Sequence, residues 1–287
     1  MKYQFIAAHQ QAYPVKTMCR VLEVAVSGYY AWLRRLGAPS RRSQANMVLG
    51  ERIVRIYQAN RQMYGSPRIH ALLRAEGEHC GRKRVARLMR ELGLSAKPRS
   101  HRTRTTDSQH EHPVAPNLLN RDFTARAPNT KWVADITGVW TWEGWLYLAV
   151  VLDIYSRMVV GWAMDRHRDE ALVEQAARMA FARRHPEPGL LHHSDRGSQY
   201  TCQDYRALLA NFGIVVSMSR TADCYDNALM ESFIGTLKSE CVDRESYQTR
   251  EQARQSIFEY LEVFYNRQRL HSSLGYVSPA MYEHQVK

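Results

Sequence analysis

The stretch Lys131-Trp-Val-Ala-Asp-Ile-Thr137 places one acid, Asp135, inside an apolar run rich in β-branched and aromatic residues. A run of this composition, extending from Trp132 to Trp140, is typical of a buried strand. Because a buried carboxylate without a partner is costly, Asp135 needs a counter-charge or a metal ion. The stretch therefore predicts the first strand of a sheet and, on that strand, a candidate site residue.

The residues that follow predict an α/β fold with helices packed against a sheet. Two more strands are predicted at 146–152 and 158–163, and Asp153-Ile-Tyr-Ser-Arg157 turns between them as an antiparallel hairpin. The order β-β-β-α-β-α-β-α is completed by a helix over 169–184, a strand at 190–193, a helix over 202–212, a strand at 214–218 and a helix over 227–240.

Two further acids lie in distinctive contexts. Asp195 lies in His192-His-Ser-Asp-Arg-Gly-Ser-Gln-Tyr200, at the end of a predicted strand, and Glu231 lies in the helix over 227–240. Carboxylates brought together in this way can hold two divalent metal ions, which clamp the attacking and leaving oxygens of a phosphodiester. Magnesium suits this chemistry because it takes few carboxylates and keeps positions open for phosphate and water.

Asp195 and Glu231 also have interpretations that involve no metal. Asp195 fits an ordinary turn, which Asp and Gly favour, and Glu231 fits a solvated helix face. Asp153 competes for a metal role because it also follows a strand, but we interpret it as a hairpin-turn residue paired with Arg157. His193 is either a residue that supports the site or a hydrogen-bonded core histidine.

The helix that carries Glu231 offers further candidates. Lys238 follows Glu231 by seven residues, nearly two helical turns, so the two side chains share a face. A lysine there can hold a DNA phosphate, although a solvated lysine has the same pattern. Asn227, one turn before Glu231, is a candidate for contact with DNA or for capping the helix, and Asp226 is a second capping candidate.

Taken in order, these motifs closely resemble the catalytic core of DDE transposases of the retroviral-integrase type. More narrowly, the chain is similar to the second-frame product (OrfB) of insertion-sequence family three, and the resemblance covers nearly its whole length. In the core it rests on Trp132-Val-Ala-Asp-Ile-Thr137, His193-Ser-Asp-Arg-Gly-Ser-Gln-Tyr200, Asp226-Asn-Ala…Glu231-Ser-Phe…Leu237-Lys238 and Tyr265-Asn-Arg…Leu270-His. In the amino-terminal third it rests on Ser27-Gly-Tyr-Tyr-Ala-Trp32 and Tyr64-Gly-Ser-Pro-Arg-Ile69.

The resemblance implies an RNase H-like core with a mixed five-stranded sheet. In that core Asp135, Asp195 and Glu231 are the catalytic residues and bind two Mg²⁺ or Mn²⁺ ions. The implied reaction is metal-dependent strand cleavage at the ends of an insertion sequence, followed by attack of the freed 3′-hydroxyl on a second phosphodiester. The element's ends are expected to be joined first by a single-strand bridge, which gives a circular intermediate.

The resemblance also implies that the working enzyme is a frameshift fusion, in which an upstream frame (OrfA) supplies end-specific DNA binding and a coiled coil. This chain starts at Met1 and has no heptad run, so we expect an OrfA partner or fusion, together with self-association. Two rival functions are a nuclease of similar fold that never joins DNA and a DNA-binding regulator with an inactive core.

Positive charge is concentrated in the amino-terminal third. The chain carries a net charge of +12; residues 1–112 hold 21 Lys and Arg against 7 Asp and Glu, whereas residues 113–287 hold 19 against 21. This asymmetry indicates a DNA-binding region joined to a catalytic domain, with the element's terminal repeats and target DNA as partners. A merely basic, soluble domain is the alternative.

Two helical modules are predicted in that third. In residues 1–45, a DNA-binding or assembly module, two short helices span 14–36 with a break at 23–27, and Tyr30 and Leu33 fill the inner face of the second. In residues 46–98, Ser66-Pro67 starts a helix with Ser as cap and Pro at the first position. The inner face of that helix is formed by Ile69, Leu72 and Leu73.

The helix after Gly81 makes the second module a helix-turn-helix with a basic second helix, which suits a DNA groove or backbone. Its predicted inward residues are Val85, Leu88, Met89 and Leu92. Its predicted DNA-binding residues are Arg84, Arg87 and Arg90, and Arg68 in the preceding helix is a further candidate.

The remaining segments are a linker over 99–120, a catalytic core over 121–245 and a carboxy-terminal helical extension over 246–287, where Thr249 and Gln252 form a capping-box pattern. A basic, aromatic tail segment is predicted after that helix. No run of eighteen apolar residues and no signal peptide is present, so we expect the chain in the bacterial cytoplasm, associated with the nucleoid. The five cysteines show no paired spacing, which argues against a zinc site.

Overall fold

The computed structural model describes residues 1–37, 40–96, 114–221 and 224–285. Contacts divide the chain into two compact units, Met1–Ser95 and Ala96–Lys287. Most of the predicted linker, residues 99–113, lies outside the described residues. Its described end is part of the second unit, where the backbone amides of Leu118 and Leu119 donate to Ser217 Oγ at 2.9 and 3.1 Å.

The first unit is helical over its described residues. Its helices are α1 (Lys2–His9), α2 (Val15–Val21), α3 (Val26–Gly37), α4 (Arg41–Ala59), α5 (Ser66–Ala75) and α6 (Arg82–Glu91). Neither α1 nor α4 was predicted from the sequence. The break between α2 and α3 is confirmed, although α3 begins at Val26, inside the predicted break.

The inner face of α3 differs from the prediction. Tyr30 and Leu33 are exposed, at 48% and 36%. Tyr29 instead is fully buried with Ile6 and Met18 of the first two helices, and Trp32 packs against the same cluster. The larger aromatic pair, one turn apart, removes more apolar surface from water and so decides which face turns inward.

The helix-turn-helix prediction for α5 and α6 is confirmed, with two local corrections. The buried residues are Ile69 and Leu73 of α5 and Val85, Leu88 and Met89 of α6. Leu92, predicted to point inward, is 44% exposed because α6 ends at Glu91 and Leu92 forms its cap. Gly65, in an extended conformation, is the amino-terminal cap of α5, so Ser66 and Pro67 lie one position further into the helix than predicted.

The second unit contains the predicted mixed sheet. Its strands are β1 (Lys131–Thr141), β2 (Gly144–Asp153), β3 (Val159–Asp165), β4 (Leu191–Ser194) and β5 (Val215–Met218), in the order β3-β2-β1-β4-β5. The first three strands are antiparallel neighbours, whereas β4 runs parallel to both β1 and β5. This arrangement confirms the α/β, RNase H-like core.

The second unit also contains α-helices. They are α7 (Glu170–Arg184), α8 (Ser198–Thr201), α9 (Gln203–Asn211), α10 (Ala228–Glu240), α11 (Arg250–Phe258) and α12 (Pro279–His284). The short helix α8 was not predicted. The capping box at Thr249 is confirmed, and α11 continues as a π-helical segment, Glu259–Tyr265.

Side chains alternate between the two faces of β1. Trp132, Ala134 and Ile136 belong to the core shared with α7, so Asp135 points to the opposite face, where α10 packs. Helix α7 approaches the sheet closely at Gly161 of β3. A Cβ at Gly161 would lie 2.2 Å from the carbonyl oxygen of Ala176, so only glycine permits this contact.

The residues after α11 are built into the core and do not form the predicted tail. Arg269 is 4% exposed and donates to both carboxylate oxygens of Glu240 at 2.6 and 2.7 Å. The side chain of Asn266 donates to the carbonyl of Val159 and accepts from its amide, each at 2.9 Å. These contacts fasten the carboxy-terminal segment to α10 and β3.

Across the described ranges, no helix is long and apolar enough to cross a membrane.

Candidate active site

The strand register brings Asp135 and Asp195 to adjacent positions. Val133 of β1 pairs in parallel with His193 of β4, and each aspartate follows its paired residue by two positions. Neighbouring strands lie about 4.8 Å apart, so the two acids are expected side by side, Asp135 within β1 and Asp195 just after the end of β4. The sequence alone gave the order of these acids but not this register.

Glu231 reaches the same region through α10. The side-chain amide of Asn227, just before α10, donates to the carbonyl of Ala134 at 3.2 Å and so ties the start of the helix beside Asp135. Glu231 follows one turn later on the same face and is half-buried. The hydrogen bond from Asn227 thus sets where the helix presents Glu231.

Neither capping candidate caps α10 with its side chain. Asn227 is 5% exposed and makes no side-chain capping bond, and its buried Oδ1 has no hydrogen-bond partner among the described residues. Asp226 is buried and accepts from the backbone and guanidinium of Arg220 and from Arg121. These bonds hold the pKa of Asp226 well below its usual range.

The other two acids both act on the pKa of Asp135. Asp135 keeps some contact with solvent, yet burial is the largest cause that raises its pKa, to about 8, and the charge of Asp195 is the next. Glu231 raises the same pKa further, whereas the Ile136 amide and Arg168 lower it. A buried carboxylate beside two others favours its protonated form, and a bound cation would relieve this repulsion.

The carboxylate oxygens of the three acids are suitable ligands for a hard cation such as Mg²⁺. The acids are not, however, close enough together to form a complete metal site. Asp135 Oδ1 accepts from the Ile136 amide at 2.7 Å, and Asp195 Oδ1 accepts from the Gly197 amide at 2.9 Å. Within the part of the chain that the structure describes, no three His, Cys, Asp or Glu side chains are grouped closely enough to hold an ion. The oxygen ligands and the mutual repulsion are nevertheless those expected of a site for divalent cations.

His193 is a core histidine. Its Nδ1 pairs with Ser217 Oγ at 2.8 Å and its Nε2 with Ser219 Oγ at 3.1 Å. Burial lowers its pKa to about 4, so the imidazole is neutral at physiological pH. It links β4 to β5 and thereby supports the strand end that carries Asp195.

Asp153 is a buried structural acceptor at the hairpin turn. It accepts from the amides of Asn129 and Tyr155 and from the indole of Trp132. Its nearest charged partner is Arg184 at 3.9 Å. The predicted pairing with Arg157 was wrong, because the Arg157 guanidinium donates instead to the carbonyl of Phe123.

The predicted DNA-binding residues lie in varied surroundings. Lys238 is half-buried in the last turn of α10, and Arg90 is exposed on α6. Arg84 donates to Asn46 Oδ1 at 2.9 Å, Arg87 pairs with Glu91 at 2.8 Å, and the guanidinium of Arg68 lies over the Tyr64 ring. Their roles in DNA binding stay predictions.

Two residues beside the acids were missed from the sequence. Arg168, in the loop between β3 and α7, lowers the pKa of Asp135, and no motif or spacing marks it. Tyr200 closes the motif that contains Asp195, and this position was the available signal. Its buried hydroxyl has no hydrogen-bond partner in the described part of the chain, and burial, followed by the charge of Asp135, raises its pKa.

Replacing Asp135 with Asn should raise the melting temperature of the metal-free protein, and more so at high pH. The pKa of Asp135 is about 8 when folded, above its unfolded value of about 3.9, so the wild type loses stability as pH rises between them. Thermal unfolding of both proteins from pH 5 to 9 measures the effect, which should exceed about 2 °C at the upper end. The exposed Glu187→Gln variant serves as control. A gain in melting temperature that is the same at every pH would contradict the shift.

Family comparisons cover most of the chain. Residues 125–224 and 212–279 each match a family described as an integrase core domain. Residues 44–102 match a family described as an HTH-like domain, which contains α5 and α6.

Solved integrase structures are only distantly similar to this chain. The HTLV-2 integrase catalytic core in complex with magnesium has a TM-score of 0.44 and 15% identity, covering 56% of this chain and 100% of that one. A simian T-cell lymphotropic virus intasome chain has a TM-score of 0.47 and 16% identity, over 75% of this chain and 70% of that one.

Sequence relatives are much closer. A 31 kDa protein of insertion element IS600 from Shigella sonnei is 46% identical over 92% of this chain and 97% of its own length. The transposase InsF of insertion sequence IS3A from Escherichia coli K12 is 43% identical over 99% of this chain and 98% of its own length. Because this identity spans both the HTH-like region and the integrase core, the chain belongs to the transposases of the IS3 family of insertion sequences.

Proposed function

We propose that Asp135, Asp195 and Glu231 are the catalytic residues of this transposase and hold two divalent ions, Mg²⁺ or Mn²⁺. The observation that carries the proposal is the register of β1 and β4, which sets Asp135 and Asp195 side by side with α10 packed against them. When bound, the ions would activate water and neutralise charge on the attacking and leaving oxygens of a phosphodiester.

The chain's own residues prepare this chemistry in distinct ways. The rigid strand fixes Asp135, and the Gly197 amide holds Asp195 in a turn directly after β4. Glu231 is the longer side chain and lies on a helix, so it can adjust by rotamer as cations bind. Asp135 must release its proton to bind a cation, since its pKa lies near 8 in the metal-free protein.

One site performs both displacements in this proposal. Water attacks at the element's end and frees a 3′-hydroxyl, which then attacks a second phosphodiester. No covalent link between protein and DNA is needed, so neither step requires a nucleophilic Ser or Tyr.

The remaining parts of the proposal concern assembly. The proposed domains are residues 1–45, 46–98, 99–120, 121–245 and 246–287. Self-association, an OrfA partner or fusion, and retention at the bacterial nucleoid through DNA binding belong to the proposal, together with a circular intermediate joined by a single-strand bridge.

A strand-transfer assay tests the proposed function. The protein is incubated with Mg²⁺, a labelled duplex that carries the element's terminal repeat, and unlabelled target plasmid. We expect both a nicked terminal strand and a labelled strand covalently joined to another DNA. Nicking without joining would indicate a nuclease, and binding without either product would indicate a regulator with an inactive core. Addition of the OrfA protein in a parallel reaction shows whether end recognition needs it.

Removing the basic face of α6 should weaken DNA binding and flatten its salt dependence. In the Arg84→Ala/Arg87→Ala/Arg90→Ala variant, the slope of log affinity against log salt should fall by roughly one unit for each lost phosphate contact. The measurement is a titration of labelled duplex at several salt concentrations. A matched control removes three exposed charges from the second unit, at Arg126, Arg178 and Arg206. An unchanged slope in the α6 variant would mean that this face is only a solvated surface.

Lys238→Ala should reduce strand cleavage partially, by about 10-fold, because it removes a charged phosphate contact and no metal ligand. Lys238→Arg, which retains the charge, should keep most of the activity. Initial cleavage rates over a range of DNA concentrations measure both variants. A loss as complete as that of an acid variant, or no loss at all, would contradict the assigned role.

A further inference from the structure

Arg168 is held in place next to the acids by its neighbours in the chain. It precedes Asp169, whose side chain caps α7 by accepting from the Leu172 amide at 3.2 Å. The backbone carbonyl of Arg168 also accepts from the side-chain amide of Gln199 at 3.0 Å. The loop between β3 and α7 is therefore fixed at Arg168 by contacts on both sides.

Gln199 connects this loop to the turn that carries Asp195. A Cβ built on Gly197 would lie 3.0 Å from Gln199 Oε1 and 3.1 Å from Asp195 Oδ1, so the two side chains flank the same glycine. The hydrogen bond from Gln199 to Arg168 thus places the start of the Arg168 side chain at the edge of the candidate active site. The charge of Arg168 acts on both Asp135 and Tyr200, as this placement requires.

Among the described residues, the guanidinium of Arg168 has no hydrogen-bond acceptor, whereas other arginines of the second unit donate to carboxylates. Its Nε is buried and has no hydrogen-bond partner within the described residues. Over residues 1–37, 40–96, 114–221 and 224–285, its guanidinium forms neither a hydrogen bond nor an ion pair. By contrast, Arg184 donates to both oxygens of Glu283, and Arg269 to both oxygens of Glu240. A partly buried cation without an acceptor is costly, so an anionic partner would be strongly favoured.

We infer that Arg168 binds DNA, with its guanidinium donating to the non-bridging oxygens of a backbone phosphate next to the phosphodiester that reacts. The planar fork of an arginine matches a phosphate and can donate two parallel hydrogen bonds. This inference rests on the proposed role of Asp135, Asp195 and Glu231 as the reacting centre. An arginine that served only to neutralise Asp135 would form an ion pair with it, and the described residues contain no ion pair between the two.

Single methylphosphonate substitutions in the DNA test the inference directly, because each removes the charge of one phosphate. Binding is measured in Ca²⁺, with a terminal-repeat duplex substituted at each position near the cleavage site. At one position, wild-type affinity should fall by about 10-fold or more, as expected for loss of a charged hydrogen bond. The Arg168→Ala variant should bind unmodified DNA with a similarly reduced affinity. A methylphosphonate at that one position should not reduce its affinity further. Additive losses at every position would overturn the inference.

Matched variants separate phosphate binding from a structural role. Arg166→Ala removes an exposed charge from the same loop and should retain the wild-type sensitivity at every position. Arg168→Lys keeps the charge without the fork and should recover part of the affinity. Arg168→Ala should melt no lower than the wild type; a lower melting temperature with uniformly weaker binding would overturn the inference in favour of a structural role.

The same experiments distinguish this inference from the proposed function. If Arg168→Ala shows no position-specific coupling while the acid variants lose cleavage, the inference fails and the proposed active site stands. If the acid variants still cleave and join DNA, the proposed active site fails whatever the behaviour of Arg168.

Discussion

Asp135→Asn, Asp195→Asn and Glu231→Gln should each abolish strand cleavage and strand joining together. Each substitution keeps the shape of the side chain and removes a charge that would hold the cations, which supply several kcal/mol of transition-state stabilisation. A loss of several kcal/mol corresponds to at least about a thousandfold in rate. Because the proposed function assigns both reactions to one site built from the three acids, the two reactions should fall in parallel.

Two substrates measure the effect: an intact terminal-repeat duplex for cleavage and a pre-cleaved duplex with a free 3′-hydroxyl for joining. Asp204→Asn, an exposed acid in the first turn of α9, is the matched control and should remain fully active. DNA binding should survive in the acid variants because the basic excess lies in the amino-terminal third. An acid variant that joins the pre-cleaved end at a normal rate would sink the single-site proposal, and a loss of DNA binding would point to a folding role.

Arg269→Ala should destabilise the catalytic unit by about 3–5 kcal/mol, because it leaves the buried Glu240 carboxylate without its cation. Glu240 would keep the hydrogen bond from the Tyr260 hydroxyl at 2.9 Å, which carries no positive charge. Urea unfolding at pH 7, followed by circular dichroism, measures the change. Glu240→Ala should be similarly damaging, because it leaves a buried guanidinium unpaired.

The surface pair Arg178 and Glu174 provides the comparison for this prediction. Their atoms approach to 3.4 Å, but Arg178 is 61% exposed, so Arg178→Ala should cost less than about 1 kcal/mol. The double variant Arg269→Met/Glu240→Met should recover much of the loss, since apolar side chains of similar volume can replace a buried ion pair. Equal costs at the buried and surface pairs would refute the structural role given to Arg269.

The parts of the fold that could be predicted from sequence are those set by local periodicity. The apolar run around Asp135 and the capping box at Thr249 depend on residues within a few positions of each other, and both are confirmed. The inner face of α3 was predicted wrongly because two faces carry apolar residues. Packing against distant Ile6 and Met18, which no local pattern records, decides between them.

The candidate site shows the same division. The motifs named Asp135, Asp195 and Glu231 as candidates, but the register that brings β4 beside β1 joins residues about sixty positions apart and follows only from the folded sheet. Arg269 looked like part of a basic tail because its partner, Glu240, lies 29 residues earlier. Arg168 carries no sequence signal, since the role we infer for it depends on a hydrogen bond from Gln199 and on the lack of an acceptor for its guanidinium among the described residues.

The paired hydrogen bonds between Asn266 and Val159 also bear on solubility. Strand β3 lies at one edge of the sheet, and exposed strand edges invite another chain to add a strand of its own. The Asn266 side chain occupies both the amide and the carbonyl of Val159, as a neighbouring strand would. The carboxy-terminal segment therefore covers this edge of the sheet at Val159. A chain truncated before residue 266 would expose the edge of β3, where a strand from another molecule could pair and start aggregation.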